Sequence, residues 1–188
     1  MTRSAAKPVV TVFGSSRPQQ GDDEYQTAYE LGGLLAAAGF VVCNGGYGGI
    51  MEATARGAKE AGGATIGVVA GIFSTKPNSF IDRKIVTASL VERLMKLVEL
   101  GDAYVVLRGG TGTLVELAMV WELMNKGFLA KKPIVAIGKT WSSVIETLRE
   151  QLRYEGRRGA AKYVTLVSSP KKCVEVLKER LQKQNRRL

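Results

Sequence analysis

Apolar, β-branched runs recur along this chain, at PVVTVFG (8–14), FVVCNGG (40–46), ATIGVVA (64–70), AYVVLRGG (103–110), KPIVAIG (132–138) and YVTLVSS (163–169), with KIVTA (84–88) as a further candidate. Runs that are apolar at successive positions, rather than at every second one, suit strands buried on both faces. Helical patterns separate most of them, at about 23–38, 49–61, 90–100, 113–126, 142–153 and 171–186. Strands alternating with helices imply parallel βαβ units. The expected fold is therefore α/β: a Rossmann-like, doubly wound, mostly parallel sheet of six or seven strands with helices on both faces. No linker, repeat or low-complexity segment interrupts the pattern, so one domain is expected over 1–188.

Composition narrows the chemistry. A chain of 188 residues, 45% hydrophobic and 23% charged, can enclose one core of ordinary size. No apolar run is long enough to cross a bilayer, so no membrane partner is expected. The opening MTRSAAKPVVTVFGSS makes a poor signal peptide, and Cys43 and Cys173 lack any close spacing; the expected location is cytoplasmic. The chain contains no histidine, which excludes Ser-His-Asp and Cys-His catalysis and imidazole-bound zinc. No metal site and no cofactor are expected. The net charge of +10 favours anionic partners. Part of it lies in the tail KKCVEVLKERLQKQNRRL, which reads as a helix packing Val174, Leu177 and Leu181 on the body with a solvated basic face. No RNA-binding aromatic motif accompanies the charge, and nucleic acid is not expected as a partner.

In such sheets ligands gather at the carboxyl ends of the strands. Three loops fall there: GSSRPQQGDD (14–23), opening on Gly14-Ser15-Ser16; CNGGYGGIME (43–52), with Asn44 to Gly49; and the turn Gly109-Gly110-Thr111-Gly112-Thr113 within 105–124. Glycines let backbone N–H groups approach an anion, and a helix N-terminus adds unpaired donors. Two such turns could clamp one ligand from two sides. Tight turns alone would also explain the glycines. The spacing is not the dinucleotide fingerprint, since Val115 and Met51 stand where its third glycine would be, and no Walker lysine follows either loop. Glu116 is readable in two ways. Thr113-Leu114-Val115-Glu116 fits a capping box, with Thr113 as N-cap and Glu116 reaching back to it; the same carboxylate could serve catalysis.

The stretch RGGTGTLVE (108–116) resembles the PGGxGTxxE signature of the LOG (Lonely Guy) family, long labelled "possible lysine decarboxylase". VFGSS (12–16) resembles that family's first strand and turn, and NGGYGGIMEATARGAKEAGG (44–63) its second glycine loop and helix; the similarity spans most of 8–138. The nearest likeness is to a short branch that includes molybdenum-cofactor carrier proteins. The resemblance implies a phosphoribohydrolase, which cleaves the N-glycosidic bond of a nucleoside 5′-monophosphate to free base and ribose 5-phosphate. It implies Glu116 and Arg93 as catalytic residues, and Gly109, Gly110, Thr111, Gly112 and Thr113 as the phosphate cradle. Gly14, Ser15, Ser16, Asn44, Gly45 and Gly46 would complete the nucleotide site.

The match thins at LVERLMKL (90–97), where Val91 and Leu94 replace the histidine and lysine of the family's MHERK motif, and at Arg108, which replaces the signature proline. Without the resemblance, Arg93 reads as a solvated residue opposite a buried stripe of Leu90, Val91, Leu94, Leu97 and Val98. Glu116, placed in a first helical turn, would stay ionised and act as a base or electrostatic partner. No lysine sits in a Schiff-base arrangement, so the decarboxylase label finds no support. The alternative is a non-catalytic binder or carrier of a phosphorylated nucleotide or pterin such as molybdenum cofactor. The helix 114–129 is apolar around much of its circumference, and the resemblance implies a homodimer through it.

Overall fold

The computed structural model describes residues 7–73 and 76–185. Seven strands form one sheet: β1 (Val9–Phe13), β2 (Val41–Asn44), β3 (Thr65–Ala70), β4 (Arg83–Thr87), β5 (Ala103–Val106), β6 (Ile134–Ile137) and β7 (Val164–Val167). Their order is β4-β3-β2-β1-β5-β6-β7, and every pairing is parallel. Six α-helices alternate with them: α1 (Asp23–Ala37), α2 (Ile50–Glu60), α3 (Leu90–Leu100), α4 (Thr111–Asn125), α5 (Ser142–Tyr154) and α6 (Pro170–Asn185). The strands begin and end within a few residues of the apolar runs, and KIVTA does form a strand, at the sheet edge.

Each face of the sheet carries its own core. On one, Leu31 of α1, Ile50 of α2 and Leu177 of α6 pack over Val10, Val42, Val105 and Val135. On the other, Leu97 of α3, Leu117 of α4 and Ile145 of α5 pack over Phe13, Cys43, Tyr104 and Val106. Alternate residues of each strand feed opposite faces, which explains the continuous apolar runs. The tail helix docks as expected, with Val174, Leu177 and Leu181 buried; residue 186, at the end of its expected range, lies outside the described residues. Helices α1 and α2 approach so closely that a Cβ on Gly57 would collide with the Tyr29 carbonyl, and one on Gly32 with that of Thr54. No helix of the described residues is long and apolar enough to cross a membrane.

Two expectations for the helices need correction. The stripe on α3 is shorter than its periodicity suggests: Leu97 and Val98 are buried, but Leu90 and Val91 are exposed, Val91 at 68%. Beneath the start of α3 lies the end of the edge strand β4, paired only with β3, so there is little sheet there to cover. Helix α4 opens two residues before the expected cap. Gly110 is its N-cap, with no side chain bonded to the first turn. Thr113 is inside the helix and buried, Glu116 falls in the second turn, and the capping box does not form.

Candidate functional site

The order of strands reverses between β1 and β5, since the chain winds outward from β1 through β4 and then from β5 through β7. Loops leaving neighbouring strands at such a point depart to opposite faces and leave a crevice. Here the loop after β1 and the loop after β5 are joined by a hydrogen bond from Ser15 N to the Arg108 carbonyl, 3.0 Å. Beside that junction is an open cleft of about 500 Å³. Its floor is Gly14, Ser15 and Ser16 together with Gly110–Thr113 at the start of α4. Arg93 and Glu116 face it from α3 and α4, and Tyr47, Met51 and Phe73 close one end.

The start of α4 is suited to an anion. The first N–H groups of a helix have no intrahelical partner, and no side chain caps them here. A Cβ on Gly110 or Gly112 would meet nothing within 4 Å, so their backbone borders open space. Gly109 differs: it packs on the Thr113 side chain and borders the adjacent cleft beside Arg108.

Arg93 is not a solvated surface residue. Its Nε donates to the Val68 carbonyl at 2.8 Å, and its guanidinium lies 5.5 Å from the centre of the Tyr47 ring. Nη2 rests 3.8 Å from the Met51 sulfur. These contacts fix the side chain while leaving donors free toward the cleft. Room for it comes from Gly45, where any Cβ would overlap the guanidinium.

Glu116 also departs from its expected state. Burial pushes its carboxyl from an ordinary 4.5 up to about 7, while the positive charge of Arg93 pulls it back toward ionisation. Beyond the first turn, the helix N-terminus does little to hold it ionised. A carboxyl poised there can take a proton or give one near neutral pH.

The second glycine loop meets the cleft through Tyr47, with Met51 just beyond it, and not through Asn44, Gly45 or Gly46. Asn44 is buried, with Nδ2 donating to the Met51 carbonyl at 2.9 Å and Oδ1 accepting from Gly46 N at 2.8 Å. Gly45 and Gly46 lie behind the cleft wall. The start of α2 is already occupied, because Ile50 N donates to the Ser15 carbonyl at 2.9 Å. This loop props the first one and cradles Arg93. Asn78, from the segment after β3, fastens it further by donating through Nδ2 to the Tyr47 carbonyl at 2.8 Å.

The candidate loops 14–23 and 43–52 contain Arg17, Tyr47 and Met51 without singling them out as site residues, and Phe73 and Leu90 line the cleft from outside those loops. Tyr47 offered a signal, being a lone aromatic amid four glycines. Phe73 offered none, because it reaches the cleft from a loop remote in sequence. Tyr47 is held in place by its hydroxyl, which accepts from Ala70 N at 3.0 Å and donates to the Ala70 carbonyl at 3.2 Å. Val91 and Leu94 lie outside the cleft wall, and Arg108 turns away from it to pair with Glu24.

Fold and cleft together define a Rossmann-like α/β protein, with its candidate site where the winding of the sheet reverses. Within that class, the chain belongs to the SLOG cluster4 family (LDcluster4), whose model matches residues 7–174. A protein of Archaeoglobus fulgidus with no assigned activity is 36% identical over 71% of this chain and 85% of its own length. A cytokinin riboside 5′-monophosphate phosphoribohydrolase of Mycobacterium tuberculosis is 33% identical over 68% of this chain and 69% of its own. Among solved structures, the molybdenum cofactor binding protein of Rippkaea orientalis superposes with a TM-score of 0.73 at 28% identity, covering 94% of this chain and 98% of that one.

Proposed function

We propose that this chain is a phosphoribohydrolase acting on a nucleoside 5′-monophosphate. The observation that carries the reading is the meeting of Glu116, Arg93 and the uncapped start of α4 in one cleft. The 5′-phosphate would sit on the N–H groups of Thr111–Thr113, which fixes the ribose next to Glu116. The base would lie toward Tyr47 and Phe73, whose rings meet edge to face with centroids 5.6 Å apart. Cleavage passes through an oxocarbenium-like state at C1′. Ionised Glu116 would stabilise that charge and take a proton from the attacking water as its oxygen bonds to C1′. The C1′–N electron pair leaves with the base, which takes up a proton in turn. A carboxyl titrating near neutrality can return to its starting form between turnovers. Val91, Leu94 and Arg108, the departures from the family's motifs, leave this constellation intact because none of them lines the cleft.

A second reading is favoured by the likeness over nearly the whole chain to a molybdenum cofactor binding protein: a carrier that holds a phosphorylated pterin on the same helix start without cleaving it. Incubation with a panel of nucleoside 5′-monophosphates, followed by chromatography of free base, separates the two. The hydrolase reading expects base release by the native protein and a loss of roughly a hundredfold or more in Glu116→Gln, with ligand binding retained. No release from any substrate, with equal binding of a phosphorylated ligand by both proteins, would establish the carrier.

The same reading includes a homodimer. In the stretch 114–129 through which it is expected, Val115 and Phe128 are exposed apolar side chains, and Val91 and Met95 are exposed on the neighbouring α3, a surface suited to a second copy. The molecular mass in solution, compared with that of Val91→Asp, tests it; a native monomer would refute it.

A further inference from the structure

The basic tail has no role in the cleft around Glu116, yet its charges are not simply solvated. A separate cleft of about 220 Å³ opens where Lys131–Pro133 lead into β6 and Lys162–Tyr163 lead into β7, walled by the last turns of α6. These are the N-terminal ends of the strands, so the cleft lies on the edge of the sheet opposite Glu116. Among the described residues five cations line it, Lys131, Lys132, Lys162, Arg180 and Lys183, and no carboxylate does.

Their partners account for only part of that charge. Lys183 pairs with Glu179. Lys132 donates through Nζ to the Gly101 carbonyl and lies near Asp102. The Lys131 ammonium stands 5.8 Å from the centre of the Tyr163 ring. Arg180 and Lys162 have no ion pair among the described residues, and Arg180 is half-buried. The cleft is also braced: Gln184 of α6 donates through Nε2 to the Lys131 carbonyl, tying the loop before β6 to the helix.

Gathering like charges around one concavity raises its positive potential and costs stability unless an anion answers it. The shape limits what that anion can be. A nucleic-acid backbone asks for a stripe of cations along a surface, whereas these converge on one recess. Two adjoining phosphoryl groups fit the arrangement of a half-buried guanidinium, with its forked donors, beside several ammonium groups. We propose that this cleft is a second anion site, independent of the one at α4, that takes a diphosphate group, either as a free polyanion or as part of a nucleoside diphosphate.

Titration of the full chain with inorganic pyrophosphate, followed by amide chemical shifts, reads the two edges of the sheet separately. Saturable shifts are expected at Lys131, Lys132, Lys162 and Tyr163. Their affinity should fall about tenfold in Arg180→Ala and again in the exposed variant Lys162→Glu, and stay unchanged in Arg93→Ala. A parallel titration with ADP assigns the source: shifts at the same amides indicate a nucleoside diphosphate, and their absence a free polyanion. No saturable shift at these amides, or shifts indifferent to both variants, would overturn the proposal. So would a single-stranded oligonucleotide that saturates them, more tightly with length, where pyrophosphate does not. Failure of the hydrolase reading, seen at Glu116 and Arg93, would leave these shifts untouched.

Discussion

The two glycine-rich loops look alike in sequence and do opposite things in space. In the loop from Asn44 to Gly49, the glycines are filled in: Gly45 by Arg93, Gly46 by Val69, Gly49 by the backbone of Ser15 and Ser16. Gly46 and Gly49 also hold positive φ, 76° and 67°, which other L-residues resist. In the loop from Gly109 to Thr113, Gly110 and Gly112 border empty space with ordinary extended or helical backbone. One loop needs glycine because something occupies the room of a side chain. The other leaves that room open. Glycine thus marks close approach by the protein itself in one loop and open space in the other, the space where the proposed function would seat a phosphate.

Substitutions can break that contrast. The largest effect is expected at Gly49→Ala, where the new Cβ meets the Ser15 carbonyl and φ is unfavourable; denaturant unfolding should report a loss of about 3 kcal/mol. Next comes Gly45→Ala, which expels the Arg93 guanidinium from its cradle. Turnover or ligand affinity should fall roughly tenfold to a hundredfold, tracking Arg93→Ala, while the melting temperature shifts less than for Gly49→Ala. Gly112→Ala should reverse the sign for stability, raising it by about 0.5 kcal/mol because alanine suits a helix better. It should nonetheless weaken binding of a phosphorylated ligand several-fold, as a methyl group enters the approach to the N–H donors.

A change of pH rather than of size sharpens the picture at Glu116. Its carboxyl holds a proton more tightly folded, at about 7, than at its ordinary 4.5. The folded state therefore binds more protons between those values, and stability should decline as pH rises from 4.5 to 7 and level off above. In Glu116→Gln that part of the slope should vanish, as read by unfolding midpoints at a series of pH values.

Much of the fold was legible because buried parallel strands need apolar residues on both faces, a demand written directly into VVTVF and AYVV. The docking of α6 was legible for a similar reason, in the spacing of Val174, Leu177 and Leu181. The site was legible only in outline. Glu116 looked like a cap because Thr113 precedes it at the right interval, but the tight exit from β5 starts the helix at Thr111, which sends Glu116 one turn deeper into the cleft. Arg93 looked solvated because periodicity reports which side of a helix is apolar and not what a long side chain can reach across a neighbouring strand. The division of labour between the loops was invisible, since it depends on which helix start the Ser15 carbonyl fills.

The cradle at Gly45 leaves a rule for reading other sequences of this fold. A guanidinium at the place of Arg93 fits only if the place of Gly45 has no side chain, while a glycine at 45 imposes nothing on residue 93. The dependence runs one way. Among divergent relatives, arginine should be lost before glycine is, and a sequence that keeps the arginine but has replaced the glycine has moved that charge out of the cleft.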